Sequence, residues 1–94
     1  MEKSITSREY AVFLAELRAA RKRRGVTQVE MAGRLGETQT FVSKVERGER
    51  RLDVIELRRF CQALQLPLTS FVTDLEKLLH RESKAIRKKQ SGGP

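Results

Sequence analysis

The sequence has few of the residues on which metal sites, disulfides and histidine-dependent catalysis depend. It contains one cysteine, Cys61, and one histidine, His80. A single cysteine cannot form an intrachain disulfide, and these two side chains are too few for a zinc site within one chain. The sequence also lacks paired carboxylates and a nucleotide-binding loop. We therefore predict that the protein is not an enzyme and that it needs no metal or other cofactor.

Long apolar segments are lacking too. No apolar run approaches the ~20 residues that a membrane span needs. The N-terminal sequence MEKSITSREY has no apolar stretch of the kind found in secretory signals. We therefore expect a cytoplasmic protein. Cys61 falls in an apolar helical pattern and is expected to be an inert core residue, whereas His80 is expected to be solvated.

Basic residues, in contrast, are abundant. The 94 residues include 20 Lys and Arg against 12 Asp and Glu, which gives a formal net charge of +8. Lys and Arg that neutralise phosphates release counterions, so nucleic acid is the first candidate partner, and an acidic membrane surface is the second. The length suits one compact domain. We assign it to residues 1–90, with a core over about 7–80 and a basic tail over 81–94.

Apolar periodicity predicts an all-α fold with five helices. Helix one is expected over about 7–24, helix two ends at Gly36, helix three ends near Gly48, and helix four is followed by Pro67. Capping residues mark the helix starts. They are Thr6 with Glu9, Thr27 with Glu30, Thr38, and Asp53 with Glu56. The expected inward positions are Tyr10, Phe13, Leu14, Leu17, Met31, Ala32, Leu35, Val42, Val45, Val54, Leu57, Cys61 and Leu64.

The last predicted helix runs from about Thr69 into the 80s and has more apolar surface than so small a core can cover. Its apolar edge consists of Phe71, Val72, Leu75, Leu78 and Leu79. We expect this edge to form the seam of a two-fold homodimer. The segment RKKQSGGP that follows is expected to be a frayed tail.

The short second and third helices carry the pattern that bears most directly on function. Gly36 can adopt a left-handed conformation that reverses the chain between them, and Ala32 lets their axes approach. With Val42 and Val45 facing inward, the opposite face of the third helix is polar and basic. It presents Gln39, Thr40, Ser43, Lys44 and Arg47.

This ordered set of residues resembles the helix-turn-helix domains of the Cro and lambda-repressor type, the xenobiotic-response-element (XRE) group of bacterial regulators. The resemblance covers residues 10–75. Its matching segments are RKRRG at 21–25, Thr27-Gln28, Met31-Ala32, Arg34-Leu35-Gly36, Thr38-Gln39, VSKVERG at 42–48 and Ala63-Leu64. The resemblance implies a compact lambda-repressor-like domain of five helices, here with an extended last helix. The third helix of such a domain lies in the major groove of double-stranded DNA.

The resemblance also implies roles for individual residues. Gln39, Thr40 and Lys44 take base-contacting positions, with Ser43 on the same face. Gln28 holds a phosphate and braces the third helix, while Arg21 and Glu46 form a structural pair. The expected contacts to the DNA backbone are completed by Thr38, Arg47, Arg50 and Arg51.

Two positions depart from the family pattern or leave alternatives open. Gln65 stands where a glycine is common, so helix four is expected to continue slightly or to end without a left-handed cap. The ring of Phe41 packs either on the protein, over Val45 or the helix-two side, or against a sugar or thymine methyl group of DNA.

Together these features predict a stand-alone transcriptional regulator. We expect a repressor that binds a partly palindromic operator as a homodimer, with two recognition helices ~34 Å apart. The alternative is a protein-interaction module, such as an antitoxin that masks a toxin or a protein that bridges other proteins.

Overall fold

The predicted order of helices is confirmed. A computed structural model describes the backbone of residues 5–91 and the side chains of residues 7–85. Between these limits the chain forms five helices and no strand. They are α1 (Ile5–Arg23), α2 (Gln28–Leu35), α3 (Gln39–Glu46), α4 (Val54–Ala63) and α5 (Leu68–Ser91). No helix in this part of the chain is long and apolar enough to cross a membrane.

Side-chain caps fix the starts of the three short helices. The Thr27 hydroxyl accepts a hydrogen bond from the Glu30 backbone N–H, and Glu30 accepts one from the Thr27 N–H, at 3.1 and 2.9 Å. Asp53 and Glu56 form the same reciprocal box before α4, at 2.7 and 2.9 Å. These two capping boxes are confirmed. The box predicted at Thr6 is wrong, because α1 already includes the residue before it.

The end of α4 differs from expectation at Gln65. This residue adopts a left-handed conformation, with φ of 55°, although it has a Cβ atom. The predicted absence of a left-handed cap is therefore wrong. The Gln65 and Leu66 N–H groups donate to carbonyl oxygens of the last turn of α4, at 3.0 and 2.9 Å. Leu66 also packs against the core, so hydrogen bonds and apolar contact together offset the cost of the left-handed backbone.

The core is formed by the inward faces of all five helices. Its fully buried large side chains are Leu17, Met31, Val42, Val45, Cys61, Leu64 and Phe71. Burial raises the pKa of the Cys61 thiol to about 11, which agrees with an inert core residue. Val54 was expected to be buried, but it is exposed because it is the first residue of α4 and lies at the helix end. Phe60 is the buried aromatic residue of α4 instead.

The apolar edge of α5 is divided between the core and the surface. Phe71 is buried, with its ring edge-on to that of Phe13 at 6.0 Å between centroids. Its predicted place in a dimer seam is therefore wrong, because its side chain is already enclosed within one chain. Leu75 packs partly against the core, whereas Val72 is 42% exposed. Leu78 and Leu79 are half-buried.

The C-terminal tail also differs from the sequence-based expectation. Because α5 continues to Ser91, residues 87–91 are helical rather than frayed. The last three residues of the predicted tail, 92–94, lie outside the described part of the chain.

Candidate nucleic-acid interface

The helix α3 has two chemically different faces. Val42 and Val45 are completely buried on its inner face. On the outer face Gln39, Thr40 and Lys44 are exposed, and Ser43 is half-buried. The predicted base-contacting side chains therefore lie together on one side of a helix whose other side is anchored in the core.

A buried ionic network fixes the C-terminal end of α3. Glu46 is only 3% exposed, and both of its carboxylate oxygens accept hydrogen bonds from the Arg21 guanidinium, at 2.6 and 2.9 Å. The Gln28 amide donates to the same carboxylate at 3.0 Å. Burial by itself raises the pKa of Glu46. The hydrogen bonds from Arg21 and Gln28 and the nearby positive charges lower the pKa by more than burial raises it, so the net pKa is below its usual value. The carboxylate is thus held ionised.

Arg18 also belongs to this network. Its Nη2 donates to the Glu46 carbonyl at 3.0 Å, and its Nε lies 3.7 Å from the Glu46 carboxylate. Arg21 also donates to the Val26 carbonyl at 2.8 Å. The sequence contained one signal for this role, since residues three apart share a helix face. The network joins α1, the start of α2 and the end of α3.

Two further arginines connect α2 and α4 in a way that sequence reasoning did not find. Arg34 of α2 donates to the Ala63 carbonyl at the end of α4, at 2.8 Å. Arg59 of α4 donates to the Leu35 carbonyl at the end of α2, at 3.4 Å. Each arginine thus satisfies a carbonyl at the C-terminal end of the other helix, where cations are favoured. These two hydrogen bonds hold α2 and α4 together.

The loop after α3 holds the three arginines that were expected to contact the DNA backbone. Arg47 donates to Glu49 at 2.9 Å and also to the Ser43 hydroxyl. Arg51 lies over the Tyr10 ring, 4.2 Å from its centroid. Both arginines thus have partners within the protein, and their predicted phosphate contacts stay predictions.

The third of these arginines, Arg50, is held on two sides. Its guanidinium forms a bidentate pair with Glu56, at 3.1 and 2.5 Å, and lies 5.3 Å from the centre of the Phe41 ring. The ring centroid of Phe41 in turn lies 6.3 Å from that of Phe60 in α4, and Phe41 packs against the core. The ring of Phe41 therefore packs on the protein, beside Phe60 and Arg50. Its contact with a sugar or thymine methyl group of DNA stays a prediction.

The two other residues predicted to contact the DNA backbone stand at helix starts. Thr38 precedes α3, and its hydroxyl accepts a hydrogen bond from the Phe41 N–H at 3.1 Å. Gln28 is the first residue of α2 and is half-buried. Helix N-termini favour phosphate oxygens, so the position of both residues is chemically suited to the predicted contact.

Comparisons with known proteins agree with this geometry. The helix-turn-helix family model matches residues 17–71. An uncharacterized HTH-type transcriptional regulator of Sinorhizobium fredii, y4dJ, is 37% identical over 57 residues, which cover 61% of this chain and 74% of that protein.

Two solved structures have a similar fold. An XRE-family like protein from Pseudomonas syringae pv. tomato has a TM-score of 0.74 and 43% sequence identity, and the match covers 79% of this chain and 90% of that one. The clp gene regulator ClgR from Corynebacterium glutamicum has a TM-score of 0.72 and covers 97% of this chain and 93% of its own. At 21% identity, this second match shows similarity of fold alone.

Proposed function

Since the chain belongs to the XRE group of helix-turn-helix proteins, we propose that it is a transcriptional regulator that binds double-stranded DNA in a sequence-specific manner through α3. The family and the fold are those of DNA-binding proteins and not of enzymes. The observation that carries the proposal is the outer face of α3. Polar and basic side chains are exposed there, on a helix whose inner face is packed in the core.

The residue types on this face suit the edges of bases in the major groove. The Gln39 amide can form two hydrogen bonds with adenine, and Lys44 can donate to the acceptors of guanine. Thr40 and Ser43 offer hydroxyl groups, and Thr40 also offers a methyl group for contact with thymine. Gln39 and Thr40 occupy the N-terminal turn of α3, which is the part of a recognition helix that meets base edges.

Contacts to phosphates would set the position of the protein on the duplex without specifying its sequence. Gln28 and Thr38 lie at helix starts, where the helix dipole supports phosphate binding. Arg47 is exposed beside the outer face of α3. Arg47 has an exposed partner in Glu49, whereas Arg50 pairs with Glu56, which also caps α4, and Arg51 lies over the Tyr10 ring. We therefore rank the phosphate contacts of Arg50 and Arg51 after that of Arg47.

The biological role that we propose is that of a repressor which binds a partly palindromic operator as a homodimer. The exposed Val72 and the half-buried Leu78 and Leu79 support a second copy of the chain on α5. The same apolar surface also favours the alternative role, that of an antitoxin or bridging protein whose main contacts are to other proteins. Sedimentation of the free protein and of its DNA complex separates these cases, since a monomer in both would contradict the homodimer.

Selection of bound duplexes from a random pool tests the proposed function directly. A regulator of this kind is expected to enrich a short, two-fold related sequence. Gln39→Ala should then reduce discrimination at one base position by ~1 to 3 kcal/mol. Arg47→Ala, as the matched change in a phosphate contact, should weaken all duplexes similarly and reduce the salt slope by about one unit. An unchanged ratio of specific to random affinity in Gln39→Ala would contradict the assignment of this face.

A further inference from the structure

The turn that ends α3 positions an acidic residue beside one of the proposed DNA contacts. Gly48 has φ of 80°. Its N–H donates to the Val45 carbonyl at 3.0 Å, and the Glu49 N–H donates to the Lys44 carbonyl at 2.9 Å. This is a Schellman arrangement, which folds the chain back over the helix end. The Glu49 carboxylate consequently reaches Arg47, with 2.9 Å between Nε and Oε2.

The paired guanidinium of Arg47 lies along the outer face of α3. It donates to the Ser43 hydroxyl as well as to Glu49. The Ser43 side chain, which is proposed to face bases, is therefore already hydrogen-bonded to Arg47. The hydrogen bond from Arg47 and its charge, together with the charge of Lys44, lower the pKa of Glu49. An ionised carboxylate at this place is not explained by the helix dipole, because the C-terminal end of a helix favours cations.

The pair of Arg47 and Glu49 differs from the other pair in the same loop. Glu56, which holds Arg50, also caps the start of α4, so its carboxylate has a role in the fold. Glu49 has Arg47 as its one ion-pair partner among the described residues. The side chains of Arg47 and Glu49 are 52% and 55% exposed. Solvent-exposed pairs of this kind are weak, so another anion can displace the carboxylate.

We propose that Glu49 competes with DNA phosphate for Arg47 and thereby lowers the affinity of the protein for duplexes of every sequence. The inference rests on the proposed function, since it requires that Arg47 contact a phosphate. In the free protein the carboxylate holds the guanidinium. On binding, Arg47 exchanges this carboxylate for a phosphate, and Glu49 is left without its cation beside a polyanion.

The chain offers a closely matched control in Glu37. This residue follows the left-handed Gly36 at the end of α2, just as Glu49 follows Gly48. Its N–H donates to the Ala32 carbonyl, five residues back, at 2.9 Å, the same spacing and length as at Glu49. Glu37 is exposed and forms no ion pair within the described part of the chain. Glu37→Gln therefore removes the same charge at an equivalent helix end without breaking an ion pair, although the charge of Glu37 acts on Arg50 over a longer distance.

The test is a double-mutant cycle measured by fluorescence anisotropy at one fixed salt concentration. The proteins are wild type, Glu49→Gln, Arg47→Ala and the double variant, with Glu37→Gln as control. The DNA probes are a duplex selected from the random pool and a random duplex of equal length. We expect Glu49→Gln to tighten binding to both duplexes by about two- to fivefold beyond the effect of Glu37→Gln. We expect this excess to vanish when Arg47 is already alanine.

Three results would overturn the inference. Equal gains in Glu49→Gln and Glu37→Gln would indicate a general charge effect, as would a gain that persists in the Arg47→Ala background. A loss of affinity in Glu49→Gln would indicate that the carboxylate orients Arg47 for DNA. If wild type itself binds no duplex, the proposed function fails; if wild type binds and the cycle is additive, only the inference about Glu49 fails. Thermal melting checks that each variant is folded.

Discussion

Replacement of Glu46 by alanine should destabilise the protein severely. The change leaves the guanidinium of Arg21, a residue that is 8% exposed, with the Val26 carbonyl as its remaining partner. It also removes the acceptor of the Gln28 amide. Loss of one member of a buried ion pair costs about 3 to 5 kcal/mol, because the other charge stays buried without compensation. Since the stability of a domain is about 5 to 15 kcal/mol in total, this single change should remove a large share of it.

Urea denaturation followed by circular dichroism measures this loss, and Glu16→Ala is the matched control. Glu16 is also a buried acid, but its partner Arg23 is exposed and can be hydrated, so we expect a loss of about 1 kcal/mol or less. The double change Arg21→Met with Glu46→Leu should recover most of the stability, because it leaves no charge stranded. A loss below about 1 kcal/mol in Glu46→Ala, or an equal loss in Glu16→Ala, would refute this account.

Three further predictions concern helix ends, the first with a substitution inside a helix for comparison. Gly48→Ala should lower stability by about 1 to 2 kcal/mol, because the residue has a left-handed backbone and an added Cβ would lie 3.0 Å from the Leu14 side chain. Gly33→Ala, inside α2 with open space around it, should instead raise stability by about 0.5 to 1 kcal/mol, and thermal melting compares the two. Gln65→Gly should raise the melting temperature, since glycine adopts φ of 55° without the steric cost that Gln65 bears; a lower melting temperature would contradict this. The hydrogen bond from Arg50, followed by that from the Asp53 backbone, lowers the pKa of Glu56 from 4.5 to about 2. Its contribution to stability should be complete above pH 4.5 and be lost as the pH falls toward 2, so the melting difference between wild type and Glu56→Gln should shrink over that range and stay constant from pH 5 to 7.

The sequence predicted best those features that depend on neighbouring residues. The capping boxes at Thr27 and Asp53 need side chains only three positions apart, and both are present. Gln65 shows where such local rules end. Its left-handed backbone is favoured by the packing of Leu66 on the core, and the core is assembled from all five helices, so no short pattern contains that information.

Contacts between distant helices were the least predictable part of the site. Periodicity placed Phe71 on an apolar edge, but only the position of Phe13 in another helix shows that this edge begins inside the core. The basic residues presented the same difficulty, because arginines look alike in a sequence. Arg51 lies over the ring of Tyr10 in α1, whereas Arg47 donates to the carboxylate of Glu49, two positions away.

The two glutamates near the end of α3 show how burial can give the same ion pair different roles. Glu46 and Glu49 each bind an arginine at hydrogen-bonding distance. The buried pair cannot exchange partners without stranding a charge in the protein, so it fixes the orientation of the helix. The exposed pair is screened by water and differs little in free energy from its separated state, so a phosphate can replace its carboxylate. A mutation that abolishes DNA binding therefore identifies a contact residue only when the stability of the same variant is unchanged, a condition that changes at Arg47 and Glu49 can meet and that changes at Arg21 and Glu46 cannot.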